Sequence, residues 1–192
     1  MKKNVLNVAL AAVIVLTTVA FTANSVEIKE IDVKNSEVNW RGEKVTGFHT
    51  GTVELEEGHF IVEDGELKGG EFTMDMKSIN VTDLEGENKG KLEGHLKSDD
   101  FFGVETYSTA KLVITSAAKK NDGTYGVVAD LTIKEDTHPV TFDLEWNENS
   151  ASTELSIDRS KFNVRYGSGS FFDDLGDKTI YDNFDLMVNL KF

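Results

Sequence analysis

The sequence predicts an all-β domain of about eight antiparallel strands with one helical insertion at about 85–103. Three observations predict it. From Val38 onward apolar residues recur at every second position, the period of a half-buried strand. Turn residues separate the apolar runs: Glu56-Glu57-Gly58, Asp64-Gly65, Asn121-Asp122-Gly123 and Asn147-Glu148-Asn149. One stretch alone, Glu85 to Lys97, spaces Leu92 and Leu96 four apart among polar residues, which is helical spacing.

The elements follow in order. Strands are expected at 36–41, 45–55 and 58–63, and then around Phe72, Met74 and Met76. After the helical stretch, Ser98-Asp99-Asp100 is placed to cap a short turn bearing Phe101 and Phe102. A strand is expected at 110–117. Next, Tyr125, Val127, Ala129, Leu131 and Ile133 alternate with Gly126, Val128, Asp130, Thr132 and Lys134. Pro139, the single proline, is expected at the start of the following strand, where a missing N–H is tolerated. That strand alternates Val140, Phe142, Leu144 and Trp146 with polar residues. A strand at 153–158 and a last one ending Phe184, Leu186, Val188, Leu190 and Phe192 complete the set. Many strands with few helices form a sandwich or a barrel.

The first 23 residues read as an address rather than as fold. Lys2 and Lys3 precede an apolar run from Val5 to Ala20, and small residues follow. This is the order of a secretory signal peptide, with cleavage expected near Ala20 or Ala23. A retained N-terminal helix is the rival reading. No cysteine follows the run, so a lipoprotein anchor is excluded. Residues 24–192 form one domain without repeats or linkers.

Composition removes whole function classes. The 192 residues carry 34 acidic against 20 basic side chains, a net charge of −14. A nucleic-acid partner needs a basic face and is excluded. Zero cysteines exclude disulfides, thiolate metal sites and a cysteine nucleophile. His49, His59, His95 and His138 lack metal-ligand spacing, so no metal is expected. No nucleophile elbow and no P-loop is present, and no catalytic residue or cofactor is expected. The glycine-rich Tyr166-Gly167-Ser168-Gly169-Ser170 reads as a loop. Alternation does not by itself separate a barrel facing its apolar side inward from an outer-membrane barrel facing it outward. The terminal Phe184 to Phe192 pattern suits the membrane form, while Asp75, Lys77, Asp143 and Glu145 on the polar faces oppose it.

Six segments in sequence order resemble the YceI-like family of bacterial lipid-binding proteins. They are Val38-Asn39-Trp40 with Lys44 and Gly47-Phe48-His49-Thr50-Gly51; Gly70 to Ile79; Leu92 to Phe102; Asp130 to Lys134; His138-Pro139-Val140; and Ile157 to Phe162. The resemblance runs from about Ile31 to Phe192. It implies an eight-stranded antiparallel lipocalin-like β-barrel, periplasmic or secreted, that is not an enzyme. The implied partner is an isoprenoid-type or other long-chain lipid, such as a polyisoprenoid or isoprenoid quinone. The mature chain is then not membrane-spanning, and a homodimer stays open. A filled barrel acting as a stress or interaction protein without ligand is the alternative. The chain departs from the family pattern at Ser108, where proline is usual, and after Lys134, where glycine is usual.

On this reading Trp40, Phe48, Phe72, Met74, Leu112, Ile114, Tyr125, Val127, Phe142 and Leu144 are expected to line a cavity. Lys44, His49, Arg159 and Tyr166 are the candidates for contact with a polar head. A structural ion pair between Arg159 and Asp158 is the competing role for that arginine, since a charge inside a barrel needs a partner.

Overall fold

The computed structural model describes residues 25–192; the segment 1–23, expected to be a signal peptide, lies outside the described residues. The described chain is a closed antiparallel barrel of eight strands with one helix, plus a short leading strand. The leading strand is β1 (Val26–Glu30). The barrel strands are β2 (Glu37–Lys44), β3 (Gly47–Glu63), β4 (Glu66–Val81), β5 (Thr109–Lys119), β6 (Tyr125–Ile133), β7 (Asp136–Asn147), β8 (Ser150–Asp158) and β9 (Ile180–Lys191). The helix α1 (Gly86–Lys97) lies between β4 and β5. Neighbouring barrel strands pair in chain order, and β9 pairs with β2 to close the ring. Strand β1 was not expected; it pairs Val26 through Glu30 with the far half of β3.

The sequence expected two strands, 45–55 and 58–63, separated by a turn at Glu56-Glu57-Gly58. They are one strand of 17 residues. The register shift between Leu55 and Glu57 marks a bulge in it at Glu56, whereas at Thr52/Glu54 the extra residues lie on β4. A bulge inserts an unpaired residue and re-aims the side chains beyond it. Accordingly Val53 and Leu55 face the interior before the bulge, and Phe60 faces it after. Turn-like residues here mark a bend within a strand rather than a break. At the β3–β4 hairpin, by contrast, Asp64 and Gly65 have φ of 52° and 80°, as a tight type I′ turn demands.

Pro139 lies inside β7 rather than at its start. Strand β8 pairs with β7 only over Glu145, Trp146 and Asn147. Pro139 therefore sits in a stretch with one unpaired edge, where a missing donor is tolerated.

The apolar alternates point inward and the charged ones outward. Val127, Ala129, Leu131 and Ile133 are buried on β6, while Val128 and Asp130 are exposed. Asp143, Glu145 and Asp185 lie on the outer face. A lipid-facing barrel requires the opposite arrangement. Among the described residues no helix is long and apolar enough to cross a membrane.

Gly51 illustrates how tightly the wall is built. It pairs with Trp40 across β2 and β3. A Cβ at position 51 would lie 2.0 Å from the Asn80 carbonyl oxygen and 2.3 Å from Trp40 Cζ2. The indole lies flat over the bare backbone and donates its Nε1–H to the Thr52 carbonyl at 3.2 Å. Gly51→Ala is expected to cost about 1–3 kcal/mol or more, as overpacking does. Urea unfolding of the variant, which should show a lower midpoint, checks this.

Candidate functional site

The barrel interior does not fill. Its buried residues fall into two clusters, one at each end. The first gathers Phe60, Leu67, Phe72, Tyr125, Val127, Leu144 and Leu190 at the end carrying the β3–β4, β5–β6 and β7–β8 hairpins. The rings of Phe72, Trp146 and Phe192 meet Phe60 edge-on at centroid distances of 5.0, 4.9 and 5.4 Å. Edge-to-face contact at these distances is the favoured aromatic geometry. This aromatic plug seals that end.

The second cluster gathers Met76, Ile79, Phe101, Val104, Leu131, Ile133, Ile157, Phe162 and Val164 at the opposite end. There α1 and the segment after it form a roof. Glu93 Oε1 accepts from the Val81 backbone N–H at 2.9 Å, and Lys89 Nζ donates to Asn80 Oδ1 at 2.8 Å. Both contacts tie the helix to the end of β4. Backbone N–H groups of Phe102 and Val104 fold back onto the Leu96 and Lys97 carbonyls, at 3.2 and 3.0 Å. That reversal turns Phe101 and Phe102 toward the interior. Lys134, at the β6–β7 turn, donates Nζ to the Phe101 carbonyl at 3.0 Å and the Asn163 carbonyl at 3.4 Å. It thereby joins the roof to the segment following β8.

Between plug and roof lies a cavity of about 210 Å³. A single water needs only about 10–15 Å³ and two to four polar partners. The walls supply few such partners. They are Trp40, Phe72, Met74, Leu112, Ile114, Phe142 and Leu144, all expected, joined by Val38, Leu55, Phe60, Met76, Ile79, Leu155, Phe184, Leu186 and Val188. Phe101, Phe102 and Leu96 close the top.

Three residues expected in the lining sit elsewhere. Phe48 is half-exposed and lies opposite Glu43 on the outward face, with the Arg41 guanidinium 3.9 Å from its ring centroid. Register put it outside: Trp40, Gly42 and Gly51 hold the inward positions of those strands. Tyr125 and Val127 do face inward, but at the level of the plug. The Tyr125 hydroxyl accepts from the Leu67 N–H at 3.4 Å, and its ring lies 6.1 Å from Trp146.

The four head-group candidates also separate. Lys44 pairs across the ladder with Gly47 and Ile180 and lies outside the cavity lining. His49 Nδ1 meets Asp83 Oδ2 at 2.8 Å at the barrel rim. Burial works against the Asp83 charge, but the Thr50 N–H and His49 outweigh it and hold the carboxyl below its usual range. Tyr166 is half-exposed and packs on His95 at 4.3 Å between centroids, with His95 in turn 5.6 Å from Phe101. Tyr166 thus backs the roof from outside. The His95 Nε2 beneath it is buried without a hydrogen-bond partner.

Arg159 alone of the four lines the cavity. It is 2% exposed. Its Nε donates to the Tyr181 carbonyl at 3.2 Å, Nη1 to Val164 at 2.8 Å and Nη2 to Ile180 at 3.0 Å. Its ion pair is with Asp182, Nη2 to Oδ1 at 3.5 Å. The adjacent Asp158, suggested by sequence as the partner, instead caps the 3₁₀ turn 159–162 by accepting from Ser160. Burial lowers the Arg159 pKa, and the two aspartates oppose that. For Asp182, burial raises the pKa, but the Ser168 and Ser170 hydroxyls and the Arg159 charge outweigh it and leave it lowered. Ser170 Oγ donates to Asp182 Oδ2 at 2.6 Å.

A lowered carboxylate pKa stabilises the fold above the unfolded-state value of about 3.9, and that contribution disappears as pH falls through the folded value. The stability difference between the wild type and Asp182→Asn is therefore expected to be largest near neutral pH and to shrink below about pH 4. Urea unfolding of both proteins across that range checks the sign.

The family profile described as YceI-like domain matches residues 30–192. A UPF0312 protein of Vibrio cholerae is 31% identical over 151 residues, covering 76% of this chain and 75% of that protein. A UPF0312 protein of Pseudomonas putida is 31% identical over 100 residues, covering 52% of this chain and 50% of that one. The chain thus spans about half the length of the Pseudomonas relatives it matches. Among solved structures, Burkholderia cenocepacia BcnA has a TM-score of 0.65 at 21% identity, covering 83% of this chain and 98% of that one. A polyisoprenoid binding domain from Saccharophagus degradans, implicated in plant cell wall breakdown, has a TM-score of 0.59 at 14% identity, covering 84% and 95%. At these identities the structural likeness concerns the fold.

Proposed function

We propose that this chain, which belongs to the YceI-like domain family, is an exported binding protein that sequesters or carries a long apolar or amphiphilic lipid of the polyisoprenoid or isoprenoid-quinone type. The observation that carries the reading is the apolar cavity between the aromatic plug and the roof. Hydrocarbon is the filling such walls favour. Each buried methylene contributes about 0.8 kcal/mol, so a long chain binds without any catalytic group. One solved relative is named as a polyisoprenoid binding domain, which supports the same class of cargo.

Export rests on the signal-peptide pattern of residues 1–23 and the absence of cysteine. The domain is taken to be 24–192, and the protein acts by binding rather than by catalysis.

Native followed by denaturing mass spectrometry of the protein purified without detergent tests the reading. A long-chain amphiphile released on denaturation is expected. A protein that stays empty after incubation with isoprenoid lipids favours the filled-barrel interaction protein instead.

Filling the cavity should separate binding from folding. Leu112 is a partly buried wall residue. Leu112→Trp is expected to lower lipid uptake by about tenfold or more while thermal unfolding remains cooperative, because the added ring occupies space the ligand needs. Uptake at the wild-type level would remove Leu112 from the binding surface.

A further inference from the structure

Strand β1 has one edge on β3 and one edge turned outward. Its odd positions serve β3. The Asp64 N–H donates to the Ser25 carbonyl at 3.0 Å, and the Ile31 N–H donates to the Gly58 carbonyl at 2.9 Å. In an antiparallel ladder every second residue exchanges bonds with a given neighbour. The N–H and C=O groups of Val26, Ile28 and Glu30 therefore point away from β3. The next even position shows the same direction: the Asp32 N–H donates to the Lys191 carbonyl at 2.7 Å. Strand β9 ends there. Among the described residues no strand pairs with the outer edge of β1.

The sequence of this edge is complementary to itself. Antiparallel to a second copy, with Ile28 opposite Ile28, Val26 meets Glu30 and Glu27 meets Lys29. Opposite charges directly across a ladder stabilise it, and like charges destabilise it. A shift of two residues either way sets Glu27 against Glu27 or Lys29 against Lys29, so the charges select the register. Within one chain Glu27 and Lys29 lie 3.4 Å apart on one face, and the second copy completes an alternating square of four charges. The other face carries Val26 and Ile28, which are 60% and 49% exposed and cover each other across the axis.

We propose that β1 is a homodimerisation strand, pairing with β1 of a second copy of this chain about a twofold axis at Ile28. About six hydrogen bonds join the copies, two at Ile28 and two at each Val26–Glu30 pair. The interface is isologous and closes at two subunits, because pairing consumes the outer edge of both. A five-residue ladder covers little area, which places the dimer in the weak, transient class. Strand β1 lies at the plugged end, where Lys29 Nζ stands 5.1 Å from the Phe192 ring centroid. Antiparallel pairing therefore joins the plugged ends and directs the two roofed ends apart. The inference does not depend on what the cavity holds.

Sedimentation velocity from about 5 μM to about 1 mM tests this, in about 0.15 M salt to screen the repulsion between two acidic chains. The sedimentation coefficient is expected to rise from that of a monomer toward that of a dimer. Ile28→Pro removes an outward N–H and leaves the β1–β3 bonds, so an edge strand tolerates it; it is expected to weaken the dimer at least about tenfold. Lys29→Glu sets like charges opposite each other and is expected to weaken it to a similar degree. Combining Glu27→Lys with Lys29→Glu restores opposite charges and is expected to recover the affinity to within about threefold. Both charge variants lose the Lys29 contact to Phe192, so recovery in the combined one separates pairing from loss of that contact.

A monomer throughout the range overturns the inference. A dimer that a folded Ile28→Pro protein keeps intact does so too, since its interface then lies elsewhere. A folded combined variant that stays as weak as Lys29→Glu overturns the pairing at Ile28. Assemblies larger than two overturn the twofold closure.

Discussion

Everything in this molecule depends on closure of the hydrogen-bonded ring between β2 and β9. Seven antiparallel pairings in chain order run from β2 to β9, and the eighth joins Trp40 to Leu186 and Val38 to Val188. Closure leaves each alternating strand one inside face and one outside face. The inside faces are apolar on every strand, so the ring encloses a water-poor space as soon as it forms. The unpaired edges of an open sheet would expose the same groups to other chains; the ladder thins where β7 and β8 pair over three residues.

A ring of this size has more interior than these side chains occupy. The large aromatics are concentrated at the ends: Phe60, Phe72, Trp146 and Phe192 at one, Phe101, Phe102 and Phe162 near the other. Met, Leu, Ile and Val line the middle together with Trp40, Phe142 and Phe184. The result is two packed clusters that share only half-buried residues such as Leu112 and Val140. Arg159 and Lys134 hold the roofed end together by donating to backbone carbonyls from different segments. The contact to the Val164 carbonyl is buried, where an acceptor left without a donor is costly.

Much of this was legible in the chain. The alternation on β6 and β7 named inward residues correctly, because a strand buried on one face shows its period in composition. The helical stretch at 85–97 was visible because its spacing differs from that of its neighbours. The errors have physical causes. Phe48 is as apolar as a lining residue, but its face is set by pairing with Glu43 across β2, and register is not written in either strand alone. The bulge within β3 at Glu56 looked like a turn because both use the same residues. Tyr125 and Val127 have the correct face and the wrong height, since alternation reports direction and not depth.

The sequence by itself determined the class of structure, the inward faces of most strands and the absence of cysteine chemistry. Those properties follow from local periodicity and composition. Only the tertiary structure decided that the interior stays hollow, because a void is the difference between the volume the ring encloses and the volume its side chains fill. It also decided the partners of Arg159. The family resemblance made this residue a candidate for contact with a polar head, and in the fold it meets Asp182 and three carbonyls brought near it from residues 164–182. Which partner a buried charge finds is a property of chain segments that meet only on folding.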